Sequence, residues 1–77
     1  MSLVSPIEQY VIDRVREKRL QLKISQKELS FLLGVSEGYV GLVESPNTDD
    51  KYSLKRLNDL ARVLHCSPKD FLPEGVL

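Results

Sequence analysis

The sequence predicts a small all-α domain of five short helices. Three observations carry that expectation. Apolar residues recur at helical spacing in separate stretches of the chain. A serine stands where each helix should begin, at Ser5, Ser25, Ser36, Ser53 and Ser67. No stretch alternates apolar and polar residues as a half-buried strand would.

The elements follow in order. Ser5-Pro6-Ile7-Glu8 combines a cap, a proline at the first helical position and a capping-box glutamate. Ile7, Val11, Ile12, Val15 and Leu22 continue at helical spacing, so a first helix is expected over residues 6–22. Lys18 interrupts that stripe, and its aliphatic stem is expected to cover the core edge while the ammonium reaches water. Ser25 with Glu28 is a second capping box and opens a helix over residues 26–33. Gly34 falls where a left-handed residue stops a helix. Ser36 is placed to cap a third helix over residues 37–45. Residues 46–50 carry turn chemistry. Ser53 opens a fourth helix in which Leu54, Leu57, Leu60, Ala61 and Leu64 keep the period. His65 follows it, where a positive φ is often required. Ser67-Pro68 with Asp70 starts a short fifth helix that ends before Pro73.

Residues 25–45 hold the most information. Two short helices flank Gly34-Val35-Ser36, and Leu29, Leu32, Leu33, Val35, Val40 and Val43 form one apolar set if the helices cross steeply. That is a helix-turn-helix layout, whose second helix can enter a DNA major groove.

Composition limits the alternatives. At 77 residues one domain is expected, with its core over about 6–72 and loose ends at 1–4 and 74–77. No apolar run approaches the roughly 20 residues of a membrane span, and no secretory leader is evident at the N-terminus. The sole cysteine, Cys66, rules out an internal disulfide, and with the single His65 it does not make a zinc site. Cys66 is expected to be a small core residue. No metal or cofactor is implied, and no nucleophile–base arrangement suggests an enzyme. A reducing, cytoplasmic setting is expected. Net charge is zero. Lys and Arg crowd residues 14–27 and return at Lys51, whereas residues 29–49 contain neither.

The chain resembles the Cro-like, phage-repressor type of helix-turn-helix regulator, the XRE type. The resemblance spans residues 11–73. It rests on Ser25-Gln26 and Leu29, on Leu33-Gly34-Val35-Ser36 at the turn, on Tyr39-Val40 and Val43-Glu44, and on Leu57, Leu60, Ala61, Leu64 and Ser67. It implies a five-helix domain that binds double-stranded DNA and regulates transcription, often as a homodimer. By position it implies that Gln26 contacts phosphate or supports a base-reading side chain. It also implies that Glu44 pairs with an arginine of the first helix, Arg19 first and Arg16 next.

The outward positions of the third helix are Ser36, Glu37, Gly38, Gly41 and Leu42, where the family often has Arg, Lys, Gln, Asn, Ser or Thr. Glu37 can accept from cytosine N4, Ser36 can pair with several bases, and Leu42 can lie on a thymine methyl. Tyr39 and Tyr52 can donate to phosphate or be partly buried. Two glycines in a short helix suggest a close approach by DNA or a partner helix. Lys27, Lys51 and Lys55, with the N-termini of the second and fourth helices, are the expected phosphate contacts. Phe71, Leu72, Val76 and Leu77 are the expected self-association surface. The missing positive charge keeps a second reading open, a protein-interaction module of the same fold.

Overall fold

The computed structural model describes residues 3–77, so the first two residues of the expected loose N-terminal end lie outside the described residues. Four α-helices and a closing 3-10 turn follow one another: α1 (Pro6–Gln21), α2 (Gln26–Leu33), α3 (Tyr39–Glu44), α4 (Leu54–Leu64) and the turn Pro68–Phe71. The expected fifth α-helix is therefore corrected to a single 3-10 turn. Pro73 is the reason: it holds Leu72 in extended backbone (φ −107°, ψ 146°), so the turn cannot lengthen.

Serine caps set most of the helix starts. Ser5 Oγ accepts from the Glu8 N–H at 3.3 Å, and the Glu8 carboxylate accepts from the Ser5 N–H at 2.9 Å. These bonds, the backbone one first, hold the Glu8 carboxyl below the usual carboxylate range. Ser25 and Ser53 accept from the N–H groups of Glu28 and Arg56. Ser67 and Asp70 close a second reciprocal box at the 3-10 turn. At Ser25 the forward half of the expected box forms. Helix ends use left-handed residues: Gly34 (φ 72°) after α2 and His65 (φ 58°) after α4. Lys23 (φ 59°) does the same after α1, although no glycine marks that position.

α3 departs from the expectation. It starts at Tyr39, two residues late, and Ser36 does not cap it. Ser36 contributes only its carbonyl, which accepts from the Tyr39 N–H at 3.1 Å. The cap position belongs to Gly38, whose φ of −88° and ψ of 0° differ from the extended backbone of the four serine caps.

The core joins Val11, Ile12 and Val15 of α1 to Leu29, Val40, Val43, Leu57, Leu60 and Leu64, and Phe71 closes it from below. Helix 5 of the expectation thus buries its aromatic even as a single turn. The apolar stripes outrun this core. Ile7, Leu22, Leu32 and Leu54 are exposed, Leu54 by 79% because it is the first residue of α4 and stands on the solvent side of its cap. Cys66 is half-buried at the core edge rather than inside it. Burial there, and the Asp70 carboxylate, push its thiol pKa up.

Tyr52 is buried against Tyr39, with ring centroids 6.1 Å apart. Its hydroxyl is buried away from solvent, with no partner among the described residues, and burial keeps it from reaching a phosphate. Burial, and next the Glu44 carboxylate, raise its pKa well above the ordinary tyrosine value. The folded state then holds this proton more tightly than the unfolded chain. The associated stability is present below the unfolded tyrosine pKa of about 10 and is lost as pH rises beyond it. Tyr52→Phe should flatten the alkaline fall in melting temperature and change neutral-pH stability by no more than about 1 kcal/mol. Thermal melts across the alkaline range check this. Parallel declines of the two proteins would trace the fall to other groups.

Candidate nucleic-acid interface

The second and third helices form the expected helix-turn-helix, and one carboxylate fixes how they meet. The Glu44 side chain, 3% exposed at the end of α3, accepts from Arg19 of α1 through both oxygens, at 2.8 and 3.0 Å. The remaining Arg19 nitrogen donates to the Ile24 carbonyl at 2.8 Å, which closes the α1–α2 connection. Gln26 Nε2 donates to Glu44 Oε1 at 3.0 Å, and Arg16 Nε approaches the same oxygen at 3.6 Å from the solvent side. A bidentate guanidinium, a carboxamide and a second guanidinium therefore converge on Glu44.

Gln26 explains Gly41. A Cβ on Gly41 would sit 3.2 Å from Gln26 Oε1. The close approach expected from DNA or a partner helix is made here by Gln26 of the protein's own α2, whose Nε2 is engaged by Glu44 while the residue remains exposed. Gly38 differs. Nothing lies within 4 Å of where its Cβ would be.

A residue missed in the sequence ties the two helices from inside. Ser30 is fully buried; its hydroxyl donates to the Gln26 carbonyl at 3.0 Å and accepts from the Val40 N–H at 3.1 Å. The only hint in the sequence was a polar residue between Leu29 and Leu33, on the stripe that faces the core.

The outer surface of the motif presents Ser36, Glu37, Gly38 and Leu42, all exposed. Tyr39 is half-buried, wedged between Tyr52 and the Arg56 guanidinium, which lies 5.3 Å from its ring centroid. Thus α3 and the start of α4 are joined through a tilted ring pair and a guanidinium over the Tyr39 ring. Exposed Phe31, beside Lys27, Val35 and Glu37, lines a shallow cleft of about 140 Å³ that the apolar pattern had not singled out.

Each lysine expected to hold phosphate has a carboxylate near it. Lys27 lies 3.5 Å from Glu37, with both side chains more than 70% exposed, and Lys51 lies 3.9 Å from Glu8. Lys55 lies 3.0 Å from Asp59, which also faces Arg56 and Arg62. The Lys55 hydrogen bond, with the other cations adding to it, holds the Asp59 carboxyl below its usual range. Exposed pairs of this kind are worth about 0–1 kcal/mol, so a phosphate can replace the carboxylate at little cost. Among the described residues no cluster of three or more His, Cys, Asp or Glu side chains could hold a metal ion, and no helix is long and apolar enough to cross a membrane.

The fold and its turn define a helix-turn-helix protein. The sequence pattern of the helix-turn-helix family matches residues 15–71, and the chain belongs to that family, in its XRE-type branch of DNA-binding regulators. The restriction-modification controller protein C.AhdI from Aeromonas hydrophila is 33% identical, with a TM-score of 0.68 over 82% of this chain and 92% of that one. A hypothetical transcription factor, NHTF, from Neisseria shares the fold at 22% identity, with a TM-score of 0.74 over 87% of this chain and 75% of that one. HppE, in its cobalt(II) form with substrate, contains the same fold within 36% of its length, at 24% identity and a TM-score of 0.72 over 87% of this chain. No curated protein sequence matches the chain significantly.

The Glu44 cluster yields a graded expectation. Glu44→Ala leaves Arg19 charged and buried without its partner and should cost about 3–5 kcal/mol. Arg16→Ala, which removes an exposed contact to the same oxygen, should cost less than about 1 kcal/mol. Urea unfolding of the two variants checks this. Equal losses would mean that Glu44 is not held from the buried side.

Proposed function

We propose that this protein is a sequence-specific DNA-binding transcriptional regulator whose α3 enters the major groove. The observation that carries the reading is the exposed surface made by Ser36, Glu37 and Gly38 leading into α3 and by Leu42 on it, with α3 held by the Arg19–Glu44 pair. A helix that projects from a helix-turn-helix with its outer side chains free of the core is the geometry that reads base edges. The likeness to a restriction-modification controller at 33% identity supports the same role.

Within this reading Glu37 accepts from cytosine N4, Ser36 pairs with a base edge, and Leu42 covers a thymine methyl. Gly38 leaves room at the start of α3 for close approach. Tyr39 acts mainly by bracing α3 against α4, and Gln26 acts by holding Glu44. Lys27, Lys51 and Lys55 exchange their carboxylates for phosphates, aided by the N-termini of α2 and α4. The absence of a cation on the outer face of α3 also supports a second reading, in which that face docks on a protein.

A selection from a random duplex library at low salt decides between them. Under the DNA reading a preferred sequence emerges, and its affinity falls with salt by a log–log slope of about 0.9 per phosphate contacted. Glu37→Ala should then shift base preference by about 1–3 kcal/mol at one position, whereas Lys27→Ala and Lys55→Ala should weaken binding to all sequences alike. Selection of no sequence would refute the DNA reading and favour a protein partner.

A domain of this size covers little DNA, so binding as a homodimer on a two-fold site is part of the proposal. Ile7 and residues 72–77 line an apolar groove of about 500 Å³, with Val76 and Leu77 exposed while Phe71 is buried in the core. That groove is the proposed contact. Sedimentation of the whole chain should show a dimer that Val76→Asp with Leu77→Asp abolishes without lowering the melting temperature. Two monomers at high concentration would exclude a dimer formed before DNA is met.

A further inference from the structure

We infer that Ser30 is a positioning residue for α3: its hydroxyl caps the reading helix from α2 and thereby sets how Ser36, Glu37 and Leu42 are presented. The inference rests on the DNA reading proposed above for its functional half, and on geometry alone for the cap.

A helix leaves its first N–H groups without partners inside the helix, and a side chain at the cap usually takes one of them. Ser5, Ser25, Ser53 and Ser67 each do this here, from extended backbone with ψ between 146° and 165°. α3 cannot do the same. Its cap residue is Gly38, which has no side chain and a ψ of 0°. Ser36 sits too early and gives only its carbonyl to Tyr39. The second N–H of α3 belongs to Val40, a residue with no exposure to water. Left unpaired there, it would carry the full penalty of a buried donor.

Ser30 supplies the missing acceptor from another helix. Its Oγ lies 3.1 Å from the Val40 nitrogen, and it spends its own proton on the Gln26 carbonyl one turn back, at 3.0 Å. The hydroxyl is thus held at both ends, and it can point nowhere else. The same α2 turn carries Gln26, which holds Glu44 and packs on Gly41. α3 is therefore pinned to α2 at both ends, by Ser30 at its start and by Gln26 at its finish. It spans six residues and contains Gly41, with Gly38 before it, so its own propensity contributes little to its order. Loss of the Ser30 bond should free the start of α3 and the turn that leads into it, which carry Leu42 and Ser36 with Glu37 respectively, while the lysines that meet phosphate stay in place.

The test compares the whole chain with Ser30→Ala and Ser30→Cys, well below their melting temperatures. Cysteine keeps nearly the volume of serine but is a weak acceptor. Two quantities are read: exchange of the Val40 amide with deuterium, and affinity for the selected duplex against a scrambled one. The expected result in both variants is Val40 exchange faster by about tenfold relative to neighbouring core amides, the factor that one ordinary hydrogen bond supplies. Affinity for the selected duplex should fall by about the same factor, while affinity for the scrambled duplex changes less than about twofold. Wild-type behaviour of Ser30→Cys would make packing, not the hydrogen bond, the cause and overturn the inference. So would equal losses on both duplexes. A wild type that binds no duplex refutes the DNA reading and the functional half with it, and unchanged Val40 exchange refutes the cap independently.

Discussion

The Glu44 carboxylate is buried at a point where α1, the α1–α2 connection, α2 and α3 all meet. A buried carboxylate must be compensated, and Arg19 does so through both oxygens while its third nitrogen takes the Ile24 carbonyl. Desolvating two charges cancels much of their attraction, so the pair adds little net stability over an apolar pair of the same volume. What it adds is direction. A bidentate guanidinium fits a carboxylate in one plane, and that plane fixes the end of α3 relative to α1. Gln26 then completes the same oxygen from α2. The core residues alone would leave α3, only six residues long, free to roll on Val40 and Val43. The polar junction removes that freedom.

The charge distribution follows the same economy. The cations near the motif are matched by carboxylates: Lys27 by Glu37, Lys51 by Glu8, and Lys55, Arg56 and Arg62 by Asp59. A protein arranged this way has a weak long-range field and attracts any polyanion only at short range. The exposed pairs are loose enough to be exchanged, but each exchange uncovers a carboxylate. At Lys27 the uncovered group is Glu37, on the outer surface of the motif itself. A negative group beside a phosphate backbone is tolerated only where it finds a donor. On the DNA-binding role proposed above, a contact that leaves Glu37 without a donor would be penalised, and that penalty would contribute to discrimination.

Local chemistry was legible in the sequence; between helices only the Arg19–Glu44 pair was, through the family resemblance, with Arg16 next to it as expected. Ser5, Ser25, Ser53 and Ser67 were readable as caps because a cap needs only its own next three residues. Gly34 and His65 were readable for the same reason. Ser36 was misread because α3 starts later than its cap would require: the Tyr39 N–H goes to the Ser36 carbonyl, and the Val40 N–H goes to Ser30, ten residues back, where no local rule reaches. Gly41 was attributed to an outside partner because its neighbour, Gln26, is fifteen positions away in sequence. Lys23 gave no sign that it would take φ 59°. The helical period located the stripes but not their limits, so Ile7, Leu22 and Leu54 were placed on a core that does not extend to them. The outward positions of the third helix were named from the family pattern. Among all the residues expected to face DNA from the second and third helices, the structure separates Gln26, Tyr39 and Gly41, which contact other parts of the molecule, from Ser36, Glu37, Gly38 and Leu42, which are exposed.

That separation says what kind of constraint acts on each position of α3. Val40 and Val43 are set by the core, Glu44 by Arg19, Tyr39 by Tyr52 and Arg56, and Gly41 by Gln26. Each would be selected in any protein with this fold and this junction, whatever it met outside. Gly38 is the cap of α3, where glycine is better tolerated than alanine, and its surroundings are open. Leu42 is apolar yet about half exposed, and Glu37 is a carboxylate whose one ion-pair partner among the described residues is a loose surface lysine. Glu37 and Leu42 are thus residues that the fold itself does not require. On the DNA-binding role proposed above, that freedom from the core is what would let them be set by a target instead.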